Sequence, residues 1–152
     1  MAEVNVMGLS QVLSIIAPGG NTPLVLACEV DHNFDRSRAE INADNKCGKN
    51  RIPNPNMDAS ISGTGQVMIN PAGGDITTKI SEAKLDQLMR SATVFSWVLG
   101  PKSGVPAPGD VTYSGQGWFN QLNTAYTTDG VATFDFSITV SGDYTQEIEP
   151  AA

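Results

Sequence analysis

The chain has 152 residues, a length that fits one domain with a hydrophobic core of its own. Charged residues make up 16% of the chain and hydrophobic residues 40%, which excludes an intrinsically disordered class. The formal net charge of −7 argues against binding to nucleic acid by general neutralisation of phosphates.

The charge is unevenly distributed along the chain. Five of the nine basic residues lie within sixteen positions, and no lysine or arginine follows Lys102. These five residues are Arg36, Arg38, Lys46, Lys49 and Arg51. A positive segment and an acidic C-terminal third can steer self-association. Scattered, solvated charge is the alternative interpretation.

Short β-branched or alternating segments predict a mainly β chain. Residues 11–17 and 23–30 are apolar and flank a Pro-Gly-Gly-Asn-Thr turn, which predicts a β-hairpin. Apolar and polar side chains alternate without a break in residues 131–142, which predicts a strand with one buried face. The other predicted strands are 32–43, 59–70, 94–100 and 111–125.

One segment, about residues 78–92, has helical periodicity. Its apolar stripe consists of Leu85, Leu88, Met89 and Ala92. Residues 143–152 read as a polar, acidic tail. Seven strands with one helix after the fourth predict a β-sandwich or partial barrel with one flanking helix, as a single domain over residues 1–152.

Residues 42–58, NADNKCGKNRIPNPNMD, interrupt this pattern. The stretch contains five asparagines and two prolines without apolar periodicity, and it predicts a long inter-strand loop. Loops of this length in compact domains are usually functional or disordered. A nucleic-acid contact, a metal site, a flexible tether and a surface for another subunit are the possible roles. The loop has no aromatic residue for base stacking, which weakens the first of these.

Residues suited to catalysis or metal binding are sparse. His32 is the only histidine, so neither a zinc cluster nor a histidine relay is expected. No local motif supports Cys47 as a nucleophile paired with His32, and Cys28 lies in an apolar run typical of a core residue. Neither a signal peptide nor a membrane span is expected. The sequence therefore predicts a soluble protein that is not an enzyme and binds no cofactor or metal.

The motifs occur in a characteristic order. A leading hairpin is followed by a polar strand ending in EIN, a long charged loop with Lys and Gly, and SISGTG. The helix EAKLDQLMRSA, the strand FSWVLG, YSGQGWF and DGVATFDFSITVSG come next. In this order and spacing, over roughly residues 8–145, the chain resembles the major tail tube proteins of bacteriophages with long, non-contractile tails.

The resemblance implies a structural protein of the virion tail. Six copies are expected to form a ring, rings to stack head-to-tail, and strands from all six copies to close one inner β-barrel around a channel. The implied partners are the tape-measure protein and passing double-stranded DNA in the channel, with tail terminator and distal tail proteins at the ends. Assembly in the host cytoplasm, without a membrane partner, is also implied.

Two sets of residues receive roles from this resemblance. The long loop is expected to contact the neighbouring ring through Lys46, Cys47, Gly48, Lys49, Asn50, Arg51, Ile52, Pro53 and Asn54. The candidate channel wall consists of Ser60, Ser62, Thr64, Gln66, Thr133, Asp135, Ser137 and Thr139. A wall without lysine or arginine does not hold passing DNA, because each phosphate contact adds salt-dependent affinity.

Other functions share parts of this pattern. The tube or hub ring of a contractile injection system, and a tail terminator or baseplate ring, have the same expected architecture. A β-sandwich that binds a ligand through Trp97 or Trp118 is the alternative outside virion assembly, and the absence of a signal peptide argues against its secreted form.

Overall fold

The computed structural model describes residues 3, 6–8, 11–18, 20, 22–74, 76 and 78–151. Its elements are β1 Gln11–Ile16, β2 Leu24–Val25, β3 Glu29–Asn42, β4 Arg51–Gln66, α1 Glu82–Arg90, β5 Phe95–Pro101, β6 Val111–Ala125 and β7 Thr133–Ile148. All seven strands form one antiparallel sheet in the order β2-β1-β5-β6-β7-β4-β3. The predicted mainly β fold, with seven strands and one helix after the fourth, is confirmed.

The two edges of the sheet lie close together because the chain connects them directly. β2 at one edge is followed by β3 at the other edge after only residues 26–28. The carboxylate of Glu29 bridges this seam. Its Oε2 accepts a hydrogen bond from the backbone N–H of Leu13 at 3.1 Å, and its Oε1 contacts Nδ1 of His32. The sheet therefore curls into a partial barrel that remains open.

Side chains on the inner face of the curled sheet form the core. In β7, Phe134, Phe136, Ile138 and Val140 are buried and alternate with more exposed polar residues, as the sequence pattern predicts. The helix packs beside β6, where the Thr124 hydroxyl donates a hydrogen bond to the Glu82 carboxylate at 2.8 Å. The remaining large core residues are Leu13, Ile15, Leu26, Ile61, Ile80, Leu85, Leu88, Phe95, Trp97, Leu99 and Phe119.

Two glycines of β4 let its backbone approach the phenylalanines of β7. A Cβ added to Gly63 would lie 2.4 Å from the carbonyl oxygen of Asp31 and 2.9 Å from the Phe136 ring. A Cβ added to Gly65 would lie 2.6 Å from the Phe134 ring. The Gly-Thr-Gly segment therefore serves close packing within the barrel.

The predicted loop over residues 42–58 is wrong in its extent. β3 continues to Asn42 and β4 begins at Arg51, so only residues 43–50 lie outside the two strands. The strands pair with each other there, with Ile41 opposite Ile52. Backbone ladder hydrogen bonds do not require an apolar side-chain pattern, and for this reason the sequence pattern does not reveal the pairing.

The predicted tail and helix also change at their ends. Residues 143–148 belong to β7, because they pair with the start of β6. The helix is shorter than predicted: Ser81 is its N-cap residue, and Ala92, two residues past its end, has a φ of 51°. Only Leu85 and Leu88 of the predicted apolar stripe are buried. The leading hairpin is confirmed, although β2 has only two residues.

We expect Gly63→Ala to destabilise the fold by about 1–3 kcal/mol, because the new methyl group meets a backbone oxygen that cannot move aside. Urea denaturation followed by circular dichroism measures the loss. Gly8→Ala is the matched control, since a Cβ at Gly8 meets nothing within 4 Å. Equal unfolding midpoints for the two variants would contradict the close packing at Gly63.

Candidate functional site

β3 and β4 continue beyond the sheet as a two-stranded arm, residues 36–59. The last pair between β4 and β7 is Ser60 with Thr139, whereas β3 and β4 pair with each other out to Asn42 and Arg51. No residue of the arm is buried. A two-stranded hairpin alone in water is marginally stable at best. The arm therefore has a hydrogen-bond ladder but no hydrophobic core.

Asparagine side chains help to build the tip of the arm. Asn45 and Gly48 exchange two backbone hydrogen bonds, at 3.0 and 3.1 Å, which leaves Lys46 and Cys47 as a two-residue turn. Three further N–H groups donate to nearby side-chain oxygens: Asp44 to Asn42, Cys47 to Asn45 and Asn50 to Asp44. Such local bonds are the reason why asparagine and aspartate favour turns. The stretch that reads as a loop is a structured hairpin end.

All nine predicted inter-ring residues lie at this outer end of the arm. Residues 46–50 lie in the segment between β3 and β4, and residues 51–54 begin β4. Eight of the nine are exposed, and Asn54 is half-buried. Lys46, Lys49 and Arg51 place three positive charges at the outer end, and the carboxylates of Asp44 and Glu40 lie beside them.

The arm also carries an apolar pair that the loop prediction did not anticipate. Ile41 and Ile52 are directly opposite each other and are 39% and 41% exposed. Directly opposite side chains lie on the same face of a two-stranded ribbon, within contact distance of each other. At the register shift below them, Nη1 of Arg38 donates a hydrogen bond to the carbonyl oxygen of Asn54 at 2.5 Å. The outer end of the arm thus combines positive charge with an exposed apolar spot.

The eight predicted channel residues form one continuous surface on the outer face of the sheet. They are paired across β4 and β7 as Ser60–Thr139, Ser62–Ser137, Thr64–Asp135 and Gln66–Thr133. All eight are exposed or half-buried, on the face opposite the core.

The same surface extends to residues that the sequence analysis missed. β3 adds Asp31, Asn33 and Asp35, and β6 adds Gln121 and Asn123. The alternation of polar and less polar side chains in β3 and β6 indicates that these residues share one face of their strands. Their position beside β4 and β7 depends on the strand order, which the sequence does not show. We call these thirteen residues the polar face; its charged members are all aspartates.

Aromatic side chains meet at the arm root, defined as Phe34, Arg36, Trp97, Tyr113 and Tyr144. The Phe34 ring makes edge contacts with Trp97, Tyr113 and Tyr144, at centroid distances of 5.6, 5.2 and 5.1 Å. The guanidinium carbon of Arg36 lies 4.7 Å from the Phe34 centroid and 5.2 Å from the Tyr113 centroid. These distances are within the range of cation–π attraction.

Hydrogen bonds at the arm root change two pKa values. Bonding to the hydroxyls of Tyr113 and then Tyr144 raises the pKa of the Arg36 guanidinium further above its ordinary value. The Gln146 side chain, which donates to the Tyr113 hydroxyl at 3.2 Å, and then Arg36 lower the pKa of Tyr113. The raised pKa keeps Arg36 charged at the arm root.

The candidate catalytic pair does not come together. His32 contacts Glu29 at the seam, beside a cavity of about 540 Å³ that Cys28 also lines. Cys47 is at the arm tip, and the extended strand from His32 to Asn42 alone spans about 33 Å, so the two side chains are far apart. Within the described part of the chain, no group of three His, Cys, Asp or Glu residues is arranged to hold a metal ion. None of the helices there is long and apolar enough to cross a membrane.

The two tryptophans lie on opposite faces of the sheet. Trp97 is fully buried in the core, and its Nε1 has no hydrogen-bond partner. Trp118 is 41% exposed and lies opposite Thr139 on the outer side. They do not form a joint platform, and Trp97 is inaccessible to a ligand.

No protein-family model and no curated protein sequence matches the chain. The SPP1 tail tube is similar in structure, with a TM-score of 0.73 at 11% identity over 96% of this chain and 81% of that chain. The chain has the fold of the SPP1 tail tube. The C6-symmetric tail of the empty gene transfer agent (GTA) particle gives a TM-score of 0.68 at 15% identity, covering 94% of this chain and 99% of that one.

A baseplate also contains a chain with this fold. The six-fold symmetrised baseplate of the anti-feeding prophage (AFP) has a chain with a TM-score of 0.61 at 10% identity, covering 97% of both chains. At such low identities the similarity shows a common fold, over nearly the whole of the present chain. The expected mainly β tail-tube architecture is thereby supported.

We expect the backbone amides of the arm to exchange with deuterium faster than those of residues 60–66 and 134–140 in the isolated chain. The arm lacks buried apolar contacts, so its hydrogen bonds open with a smaller free energy than those over the core. Hydrogen–deuterium exchange with mass spectrometry measures the difference. Equal protection of both regions would show that the arm is stable without another surface.

Proposed function

We propose that the chain is a structural protein of a virion tail that forms hexameric rings, which stack into a tube. The observation that carries the proposal is the arm, an exposed ribbon without a core, on a chain that has the tail-tube fold. Two structures with this fold are described with six-fold symmetry. A ribbon of this kind becomes stable when another copy covers it.

Free strand edges support closure of a ring. β3 ends the sheet on one side, and β5 pairs with β6 only as far as Gly117. Among the described residues, 118–125 of β6 therefore have no strand neighbour on that side. Unpaired edges invite pairing with another chain, and a closed barrel removes them. In the proposed ring, β3 of one copy pairs with this part of β6 in the next copy. Each copy then contributes β3, β4, β7 and β6 to one inner barrel.

Proline restricts which edge of the arm takes part. In an antiparallel pair, hydrogen-bonded and non-hydrogen-bonded residue pairs alternate. Asn45 and Gly48 form a hydrogen-bonded pair, and Glu40 and Pro53 are five rows further along the arm. Glu40 and Pro53 are therefore a non-hydrogen-bonded pair. At such a pair the backbone groups point away from the partner strand. Pro53 therefore removes a donor from the outer edge of β4, whereas the outer edge of β3 keeps its donors. This asymmetry favours β3 as the pairing edge.

The polar face becomes the wall of the channel in this ring. Its hydroxyl, amide and aspartate side chains lie on the side of β3, β4, β7 and β6 that the core does not use. Without lysine or arginine the wall offers the phosphates no positive charge, so DNA passes without being held electrostatically. The tape-measure protein occupies the same channel before DNA does.

Head-to-tail stacking requires two different, complementary surfaces on each copy. The arm supplies one, with Lys46, Lys49 and Arg51 beside the Ile41–Ile52 pair. The remainder of the chain carries the acidic excess that gives a net charge of −7. Exposed ion pairs contribute at most about 1 kcal/mol each. The apolar pair therefore adds affinity, while the charges steer the approach.

The proposal includes the setting of the assembly. The protein is built into the virion tail in the host cytoplasm, with tail terminator and distal tail proteins at the two ends of the tube and no membrane partner. Its role is mechanical and not enzymatic: it encloses the path along which DNA leaves the virion.

A tube or hub ring of a contractile injection system is the second candidate, favoured by the similarity to a chain of the AFP baseplate. Such a device uses the same kind of ring. A ligand-binding β-sandwich is a third possibility, with Trp118 as the only accessible tryptophan of the described residues. A monodisperse monomer in negative-stain electron microscopy would favour the ligand-binding protein over both tubes.

We expect the triple variant Lys46→Glu, Lys49→Glu, Arg51→Glu to fold but to form no tubes. The three side chains are exposed and form no ion pair in the isolated chain, so their reversal changes the docking surface alone. Negative-stain electron microscopy of the purified protein measures assembly. The control variant carries the same charge change at Lys79, Lys84 and Lys102, outside the arm. Normal tubes from the arm variant would contradict the stacking role.

A second expectation concerns the channel wall. We expect tubes of the double variant Thr133→Arg, Asp135→Arg to retain duplex DNA when they are assembled in its presence. The affinity for the DNA should fall steeply as the salt concentration rises. Co-sedimentation at several salt concentrations measures the retention. Asp86→Arg with Gln87→Arg makes the same charge change on the helix. Equal retention by both variants would mean that residues 133 and 135 do not face the channel.

A further inference from the structure

Two ribbons diverge at the arm root. Pairing of β4 with β7 stops at Ser60 and Thr139, and the arm leaves the sheet from that row. β7 continues to Ile148 and pairs with β6 back to Val111, which forms a second ribbon that β5 borders along residues 113–117 of β6. We call this second ribbon, residues 111–116 and 141–148, the outer ribbon. Side chains of the arm root lie in the fork between them.

Arg36 connects the two ribbons. It belongs to the first row of the arm, opposite Ala59, and its guanidinium lies over the rings of Phe34 and Tyr113. Tyr113 is part of the outer ribbon, as is Tyr144, which also contacts Phe34. One charged group thus attracts the Phe34 ring of β3, just before the arm begins, and another ring on the neighbouring ribbon.

The rest of the arm has no comparable connection. Among the described residues, the hydrogen bond of Arg38 goes to Asn54, within the arm, and so do those of the tip. The ion pairs of the described residues involve His32 with Glu29 and Arg90 with Asp86, none of them in the arm. The direction of the arm is therefore set at its root.

We propose that Arg36 is a positioning residue that fixes the direction of the arm before a second copy binds it. This inference rests on the proposed role of the arm in assembly. The planar, permanently charged guanidinium suits the task, since it can stack on rings and donate to phenol hydroxyls at once. A lysine ammonium keeps the charge but loses the planar stacking.

The length of the arm makes its root important. From Arg36 to Lys46 the extended chain spans about 33 Å. A rotation of about 10° at the root then moves the tip by about 6 Å over that span, more than the 4 Å within which an ion pair counts as formed. A loosely held arm samples many positions and meets its docking surface in few of them, so assembly needs a higher concentration of subunits.

The test measures the arm in the isolated chain as well as the assembly. One spin label is attached to Cys47 at the arm tip and a second to a cysteine that replaces Asp86 on the helix. The substitution Cys28→Ser removes the remaining thiol, so that only these two cysteines are labelled. Pulsed electron paramagnetic resonance gives the distribution of distances between the labels. The variants are Arg36→Met, Arg36→Lys and the control Arg38→Met, which removes the same charge two residues further along the arm.

We expect Arg36→Met to broaden the distance distribution and Arg38→Met to leave it close to the wild type, with Arg36→Lys between them. The critical concentration for tubes should rise at least about two- to fivefold in Arg36→Met, because each copy loses the exposed cation–π contacts of Arg36 with Phe34 and Tyr113. A distribution for Arg36→Met as narrow as that of the wild type overturns the inference. If the wild type forms no tubes, the proposed function fails while the distances still decide the role of Arg36.

Discussion

A link of only three residues, 26–28, joins β2 at one edge of the sheet to β3 at the other. Four Cα steps from Val25 to Glu29 cover at most about 14 Å. Seven strands laid flat would place the two edges about 29 Å apart at ordinary strand spacing. The sheet therefore has to curl, and the hydrogen bond from Leu13 to Glu29 occurs where its edges meet.

Curling separates the two faces of each strand into different environments. The inner face of β7 holds Phe134, Phe136 and Ile138 in the hydrophobic core, while Asp135 and Ser137 lie on its outer face. The apolar contacts that stabilise the fold therefore lie almost entirely on the inner side of β4 and β7. The polar face is left free to meet other requirements, because substitutions there do not disturb core packing.

The sequence predicts the parts of this fold that depend on apolar burial. The alternation in β7, the limits of β6 and the place of the helix after the fourth strand all follow from side chains that enter the core. The arm and the end of β7 do not follow, because they are held by backbone pairing between polar segments. Single apolar residues such as Ile41 and Ile52 give no period to detect.

The candidate site divides in the same way. The eight residues of β4 and β7 were found as polar partners of a buried face, and the strand register places them opposite one another. Asp31, Asn33 and Asp35 require the knowledge that β3 lies beside β4. Arg36 could not be identified as special, since its aromatic partners come from β6 and β7, far away in sequence. Contacts between distant segments are the information that a local pattern lacks.

Pro53 has a consequence for the unassembled protein. A cross-β fibril grows only if each strand pair offers donors and acceptors on both of its outer edges, so that every added chain presents a fresh edge. The arm has one edge with an intact set of donors and one from which Pro53 removes a donor. A second arm can pair with the β3 edge of the first. Both outer edges of that pair of arms are then β4 edges that lack the donor at Pro53, so a third arm pairs poorly. The chain can thus expose a long ribbon at high concentration, because Pro53 stops the ribbon from growing into an amyloid fibril.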